Sequence, residues 1–397
     1  MRAIYINSSP IPWLCETTSG SRSNCECVLF YPNSRTRRRN PFPVSAMEWN
    51  SGRVLGPAPL DSNWWDRKLF SGAVVVKEPK GATGYRMYYY GRSEEVWNMG
   101  VQPFNNTLPT GRIGVAFSSD GLAFQRHRGP LPGGAVMDPS DNPAAFDCVH
   151  VAISDAVYTG EKWLLYYFGG GMAAEGRRLL PGLASSVDGI HIDGREGPVL
   201  DVGEPGAWDQ NGVSWPRIFP GDDSGRLFMT YHTRESGGSA GIGFFSAGMA
   251  VSDDGKNWRK VGKILSCGDA GSWDEGGVSV RHVIRVGRRF LMFYEGSNFK
   301  FEFAIGLAIS DDGLTWKKDE YVGKEPGGPV LTARKGENVW DNLIVGTPYV
   351  LQMPDGSFGM YYLGLGKREG EEMSQQGIGL AVSDGPNFRL WRRYGQQ

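Results

Sequence analysis

Five short segments place one variable residue at the end of an apolar run. They read MYYYG (Met87–Gly91), LYYFG (Leu165–Gly169), MTYHT (Met229–Thr233), MFYEG (Met292–Gly296) and MYYLG (Met360–Gly364). The variable residue is Tyr90, Phe168, His232, Glu295 or Leu363. Upstream of each segment a Trp-Asp pair or its relative supplies Asp66, Asp147, Asp209, Asp274 or Asp341. Counted from these aspartates, the third residue on is His150 in one copy, against Leu69, Gly212, Gly277 and Ile344 in the others. The eighth is Asp155, against Val74, Arg217, His282 and Tyr349; the first is Glu275, against Arg67, Cys148, Gln210 and Asn342. Residues repeated in every copy serve the fold, whereas acids and bases that break the pattern at matched positions are candidates for one shared site.

Two carboxyl groups facing one site, with one kept protonated, suit acid–base chemistry on a single bond. A histidine beside a carboxylate suits proton transfer, and arginine suits anionic ligand groups. The candidate catalytic residues are therefore Asp147, Asp155, Glu275, Glu295 and His150. The candidate substrate-binding residues are Asp66, Arg217, Tyr231, His232, Arg281, His282 and Tyr349. Each also has a structural role open to it. The five recurring aspartates can accept backbone hydrogen bonds where their units begin. His150 can be a bonded core histidine, Asp155 a partner of Arg281 or Arg217, and Glu275 a rim residue. Trp97, Phe104, Phe299 and Phe301, in two long loops, can stack on a ligand or pack loop on loop.

The elements that must hold these residues are legible in a second repeat. IGVAFSSDGLAFQRH (from Ile113), PGLASSVDGIHIDG (from Pro181), AGMAVSDDGKNWRKVG (from Ala247), IGLAISDDGLTWKKD (from Ile305) and IGLAVSDGPNFRLWRR (from Ile378) share one grammar. Alternating small and apolar residues form a half-buried strand, an Asp-Gly turn closes a hairpin, and a return strand follows. One unit thus reads Trp-Asp, strand, turn, strand ending in Tyr-x-Gly, loop, strand, Asp-Gly turn, strand. Four antiparallel strands repeated five times predict an all-β, five-bladed β-propeller over residues 46–397. MEWNSGRVLGP (Met47–Pro57) looks like the end of a unit, and is expected to close the ring against the C-terminal blade.

These motifs, over roughly residues 60–392, resemble the five-bladed propeller glycosidases: arabinanases, β-xylosidases, invertases and levansucrases, the family-43-like glycoside hydrolases. The resemblance implies a sugar bound in an axial funnel and carboxylates contributed by different blades. That group's aspartate before a proline in the first inner strand is replaced here by Gly72-Ala73. The chain's Asp138-Pro139 falls in a loop, and its Glu26-Cys27 near the N-terminus. The implied triad does not transfer by motif, and the site residues come from the repeats instead.

Of the 397 residues, 57 are glycine, which favours many short strands joined by turns. A formal net charge of −1 gives no basic field for nucleic acid, and no apolar run is long enough to span a bilayer. Residues 1–45 hold six arginines and seven serines against two glutamates and no aspartate, the composition of an organelle transit segment. The expected address is a plastid stroma, with mitochondrion or cytoplasm as alternatives. Cys148 and Cys267, outside that segment, have no metal or disulfide spacing and are expected as partly buried thiols. No cofactor or metal is expected, and the expected partner is a small-molecule or oligosaccharide ligand. Three readings follow: a glycoside hydrolase with paired carboxylates, a carbohydrate-binding or scaffold propeller without catalysis, and an acid–base isomerase or cyclase.

Overall fold

A computed structural model describes residues 49–395, apart from 80, 93–95, 99–106, 110, 172–177, 222–224, 236–243, 320–327, 369, 372–373 and 384–387. Residues 1–45, read as a transit segment, lie outside the described residues, as does Phe104.

The Asp-Gly hairpins show why the sequence repeats itself. In the first, Ser118 Oγ accepts the Gly121 amide (2.9 Å) and Asp120 Oδ1 accepts the Leu122 amide (2.9 Å). Gly121 sits at φ 80°, which a β-carbon resists. The same Ser-x-Asp-Gly bonds recur at Ser186/Asp188, Ser252/Asp254 and Ser310/Asp312. Amide donors hold the Asp188, Asp254 and Asp312 carboxyls below the usual carboxylate range. The motif is a side-chain-capped turn and lies on the architectural link, not the chemical one.

The strands run in chain order. β1 (Arg53–Leu55) precedes a first sheet of β2 (Leu69–Lys77), β3 (Tyr85–Arg92), β6 (Arg112–Ser118) and β7 (Gln125–His127), with a small hairpin β4 (Val96–Asn98) and β5 (Thr107–Pro109) inserted. The second sheet is β8 (His150–Tyr158), β9 (Trp163–Gly170), β10 (Leu179–Ser186) and β11 (Gly194–Glu196). β12 (Ser214–Pro220), β13 (Leu227–Arg234), β14 (Phe245–Ser252) and β15 (Arg259–Leu265) form a third antiparallel group. β16 (Gly277–Val286), β17 (Arg289–Ser297), β18 (Phe303–Ser310) and β19 (Lys317–Lys318), with β20 (Leu331–Thr332) on β18, form a fourth. One parallel bridge, Phe245 to Gly277, joins these two into a nine-stranded sheet. The last is β21 (Ile344–Gln352), β22 (Phe358–Gly366), β23 (Gln375–Ser383) and β24 (Arg392–Arg393). The leading strands contact one another in a cycle: β2 with β8, β8 with β12, β12 with β16, β16 with β21, and β21 with β2.

β1 pairs with β23, beside β24, so the N-terminal segment completes the C-terminal sheet as expected. The Trp49 and Ser51 carbonyls accept the Trp340 amide and indole, and the Val54 carbonyl accepts the Phe124 amide from the first sheet.

Both tyrosines of Tyr-Tyr-x-Gly are structural ties. The first reaches the next sheet and donates to the carbonyl of its turn glycine: Tyr88 to Gly189 (2.9 Å), Tyr166 to Gly255 (2.7 Å) and Tyr361 to Gly121 (2.7 Å). The last of these ties the final sheet to the first. The second tyrosine bonds the aspartate of its own Trp-Asp pair. The motif glycine makes room for the tryptophan: a β-carbon on Gly364 would lie 2.2 Å from the Trp340 ring. Gly364→Ala should destabilise the fold by about 1–3 kcal/mol through overpacking, readable as a lowered denaturant midpoint.

Candidate functional site

Tyr90, Phe168, His232, Glu295 and Leu363 stand on the second strand of each group, next to the leading strand. Ser71 pairs with Tyr90, Ala152 with Phe168, Ser214 with His232, and Gly346 with Leu363. All five leading strands lose register just beyond this point, at Ser71/Val74, Ile153/Asp155, Ser214/Arg217, Val278/Arg281 and Gly346/Tyr349. Such irregularities bend a strand and re-aim its side chains. The sixth residue after the recurring aspartate takes positive φ in three copies: Gly72 (70°), Trp215 (54°) and Thr347 (45°). For an indole and a β-branched residue this conformation is costly and marks a functional constraint.

Glu295 is held by the turned strands around it. Its Oε1 accepts the Ser279 hydroxyl (2.6 Å), and its Oε2 accepts the amide of Thr347 on the neighbouring leading strand (2.8 Å). Burial pushes this carboxyl above its ordinary value, while Ser279, Thr347 and Arg281 pull the other way. A continuous set of rings adjoins it. Trp215 lies 4.4 Å from Phe168, 5.5 Å from His232 and 5.8 Å from Tyr90, centre to centre. His150 packs on Phe168 (5.5 Å) and Tyr90 (6.2 Å). Burial raises the Tyr90 phenol to about 12, with the Glu295 charge adding to it. Burial, then Arg281, holds His232 neutral. Phe168, His150 and His232 are buried, whereas Tyr90, Trp215, Glu295 and Leu363 remain partly exposed. Tyr90 and Trp215 are in ring contact and the Glu295 charge is felt at Tyr90, so an indole, a phenol and a carboxyl adjoin, with Leu363 at the matched position of the last sheet: the candidate floor.

Beneath it lies a sealed polar layer from the eighth-residue positions. Asp155 accepts the amides of Ile218 (2.7 Å) and Ala156 (2.9 Å) and the Tyr349 hydroxyl (3.3 Å). Burial raises its carboxyl to about 6 against the pull of Arg217. The Arg217 guanidinium lies 4.9 Å over the Tyr349 ring, and the His282 ring packs against that same ring at 4.0 Å. His282 Nδ1 accepts the Val350 amide (3.2 Å). Arg281 donates to the carbonyls of Ser279 (2.8 Å), Trp215 and Thr230. Arg217 and Arg281 are 1 % and 0 % exposed, so both act on the floor from below and cannot touch a ligand above it.

The remaining candidates are placed elsewhere, and for a physical reason. Asp66 and Asp147 belong to a tie repeated in all five sheets. Tyr167 donates to Asp147 (2.8 Å), as Arg195 does from outermost β11 (3.4 Å). Asp209 binds Tyr231 (3.1 Å) and Lys260 (2.6 Å), so the Tyr231 hydroxyl is engaged within its own unit. Asp274 binds Tyr294 and Lys318, Asp341 binds Tyr362 and Arg393, and Asp66 binds Arg126. Each carboxylate thus bonds side chains of the second and outermost strands of its own unit, and Asp66 keeps its Oδ1 buried without a hydrogen-bond partner among the described residues. Glu275 accepts the Gly271 amide (2.6 Å) within its own turn, and Gln210 does the same for Gly206 (2.7 Å), so the acid there is a turn cap. His150 Nδ1 accepts the Gly111 amide (2.9 Å) and its ring supports the aromatic wall. Phe299 packs on Phe244 (5.5 Å), while Phe301 is 65 % exposed. Asp138 pairs with Arg112. Cys148 and Cys267 are free and partly buried.

Trp215, Ser279 and Thr347 were not singled out by the sequence. The counting that exposed Asp155 at the eighth position would have reached Trp215 and Thr347 at the sixth. Among the described residues no group of three or more His, Cys, Asp or Glu is placed to hold a metal, and no helix is long and apolar enough to cross a membrane.

No protein-family profile matches the chain. An uncharacterized Mycobacterium tuberculosis protein, Rv1502, is 25 % identical over 350 residues, covering 85 % of this chain and 99 % of the relative. Solved structures align over nearly the whole propeller region. A BT0996 RGII complex gives a TM-score of 0.59 at 19 % identity, over 88 % of this chain and 95 % of that one. A thermostable family-43 glycoside hydrolase gives 0.58 at 17 %, over 83 % and 95 %. The beta-1,2-mannobiose phosphorylase of Listeria innocua gives 0.54 at 15 %, over 82 % and 93 %. At these identities the likeness establishes the fold alone, an all-β propeller.

Proposed function

We propose that this chain, a divergent member of the propeller glycosidase superfamily by fold, closes five blades around an axis and binds a carbohydrate in the funnel above Glu295. The cycle of leading strands supports the blade count. The observation that carries the function is the partly exposed floor of Tyr90, Trp215, Leu363 and Glu295. A sugar offers an apolar C–H face and a rim of hydroxyls. An indole and a phenol suit the face, and a carboxyl held by two donors keeps lone pairs for the hydroxyls. Asp155, the other axial acid, is sealed beneath, so the described floor brings one carboxyl to the ligand where paired-carboxylate cleavage needs two.

A second reading has one observation in its favour. Glu295 is partly exposed and its carboxyl is raised by burial, as a proton donor to a leaving oxygen requires. Calorimetric titration with an oligosaccharide panel, alongside product analysis, separates the two. Binding alone predicts saturable heat, no released product, and about a tenfold weaker affinity in Glu295→Gln, from one lost charge-assisted hydrogen bond. Glycosidic cleavage predicts product from the native protein and a loss of at least about a hundredfold in turnover in the same variant. Absence of binding by every saccharide overturns both.

A further inference from the structure

We infer that Gly346 is a positioning residue for Glu295: lacking a β-carbon, it seats the Glu295 carboxyl against the leading strand of the next unit, where the ligand meets it. The inference rests on the carbohydrate reading of the floor. Variable residues of the Tyr-x-Gly segments lean across onto the unit that follows. Phe168 packs on Trp215 of β12 (4.4 Å), and His232 bonds the backbone of Ser279 on β16. Glu295 does the same, accepting the Thr347 amide of β21 (2.8 Å). Beside that amide lies Gly346. A β-carbon there would overlap Glu295 Oε2 and stand 2.9 Å from its Cδ and 3.4 Å from its Cγ. Its nearest neighbours would thus all belong to this one side chain. The fifth residues after the recurring aspartates are Ser71, Ala152, Ser214, Ser279 and Gly346, so the copy facing the acid is the one without a side chain. Gly346 does not take a positive φ, so its backbone admits alanine, and what the position needs is room rather than conformational freedom. Gly346→Ala should therefore move a flexible carboxyl and not the strand, taking Oε2 off the Thr347 amide.

The test is a double-mutant cycle of Gly346→Ala and Glu295→Ala, read by calorimetric titration with the oligosaccharide panel. Gly346→Ala should weaken binding about tenfold on its own, from one displaced charge-assisted hydrogen bond, and should have no effect once Glu295 is replaced. A second readout is the titration of the Glu295 carboxyl, followed by NMR with isotope-labelled glutamate and assigned by the signal missing from Glu295→Ala. Loss of the Thr347 amide should raise it, with Ser279, Arg281 and Tyr90, the other groups that act on it, still in place. An equal loss of affinity in both backgrounds, or none in either, overturns the inference and leaves the carbohydrate reading intact. If no saccharide binds the native chain, that reading falls and the titration decides: a raised carboxyl in Gly346→Ala sustains the seat, and an unmoved one removes it. If Gly346→Ala does not fold, the double variant decides. A folded double variant assigns the overlap to Glu295, and an unfolded one overturns the inference.

Discussion

Trp215→Ala should weaken carbohydrate binding by roughly 30-fold or more, the loss expected for a central aromatic anchor worth about 2 kcal/mol. The indole is the largest partly exposed group on the floor, and its ring is braced by Phe168, His232 and Tyr90. Truncation removes the platform without touching Glu295. A second variant separates recognition from folding. Trp215 sits at φ 54°, where any β-carbon is strained, so Trp215→Gly should bind as poorly as the alanine variant yet be about 1 kcal/mol more stable. Titration calorimetry gives the first comparison and denaturant unfolding the second. Unchanged affinity in both variants would move the ligand off this floor.

Arg217→Met should cost about 3–5 kcal/mol of stability, because it leaves the Asp155 carboxylate buried without its nearby cation. The loss depends on pH in a defined direction. The Asp155 carboxyl already titrates at about 6 in the folded chain, above its unfolded value, and removing Arg217 raises it further. The folded state then holds the proton more tightly, so its stability rises as pH falls through that value. The deficit of the variant should be largest above pH 6 and shrink toward pH 4. Combining it with Asp155→Asn, which removes the charge but keeps an acceptor for the Ile218 amide, should restore part of the loss at pH 7. Urea midpoints across this range check both statements. A deficit independent of pH would mean that Arg217 stabilises by packing on Tyr349 alone.

The fold was legible because its signals are local and repeated. Ser-x-Asp-Gly turns, Trp-Asp pairs and Tyr-Tyr-x-Gly strands each encode their own bonds, and agreement among copies compensates for the weakness of any one. The site was legible only at positions read by counting along the strands. The contrast of Glu295 and His232 with Leu363 was visible because all three hold the same place in the recurring Tyr-x-Gly segment or its variant. Asp147 looked equally chemical. Its partners, Tyr167 and Arg195, lie 20 and 48 residues away, and no spacing rule announces such contacts. Trp215 and Thr347 escaped notice because their importance lies in backbone conformation, which residue type does not announce.

Leu380 on β23 receives the first and the last of the ring's segments: its amide donates to the Gly52 carbonyl, and its carbonyl accepts the Tyr394 amide. A β-carbon on Gly52 would sit 3.1 Å from that of Arg393. The two segments therefore lie side by side, and the ring has no topologically privileged origin. A circular permutant with these neighbours joined by a short linker, and new termini placed between Asp138 and His150, beyond the Met137 bridge to Ile113, would interrupt no sheet. The same cut inside a Ser-x-Asp-Gly turn would sever a hairpin together with the tyrosine tie that depends on it. The junctions between units, rather than the hairpins, are where this architecture can be opened, shuffled or extended by whole units.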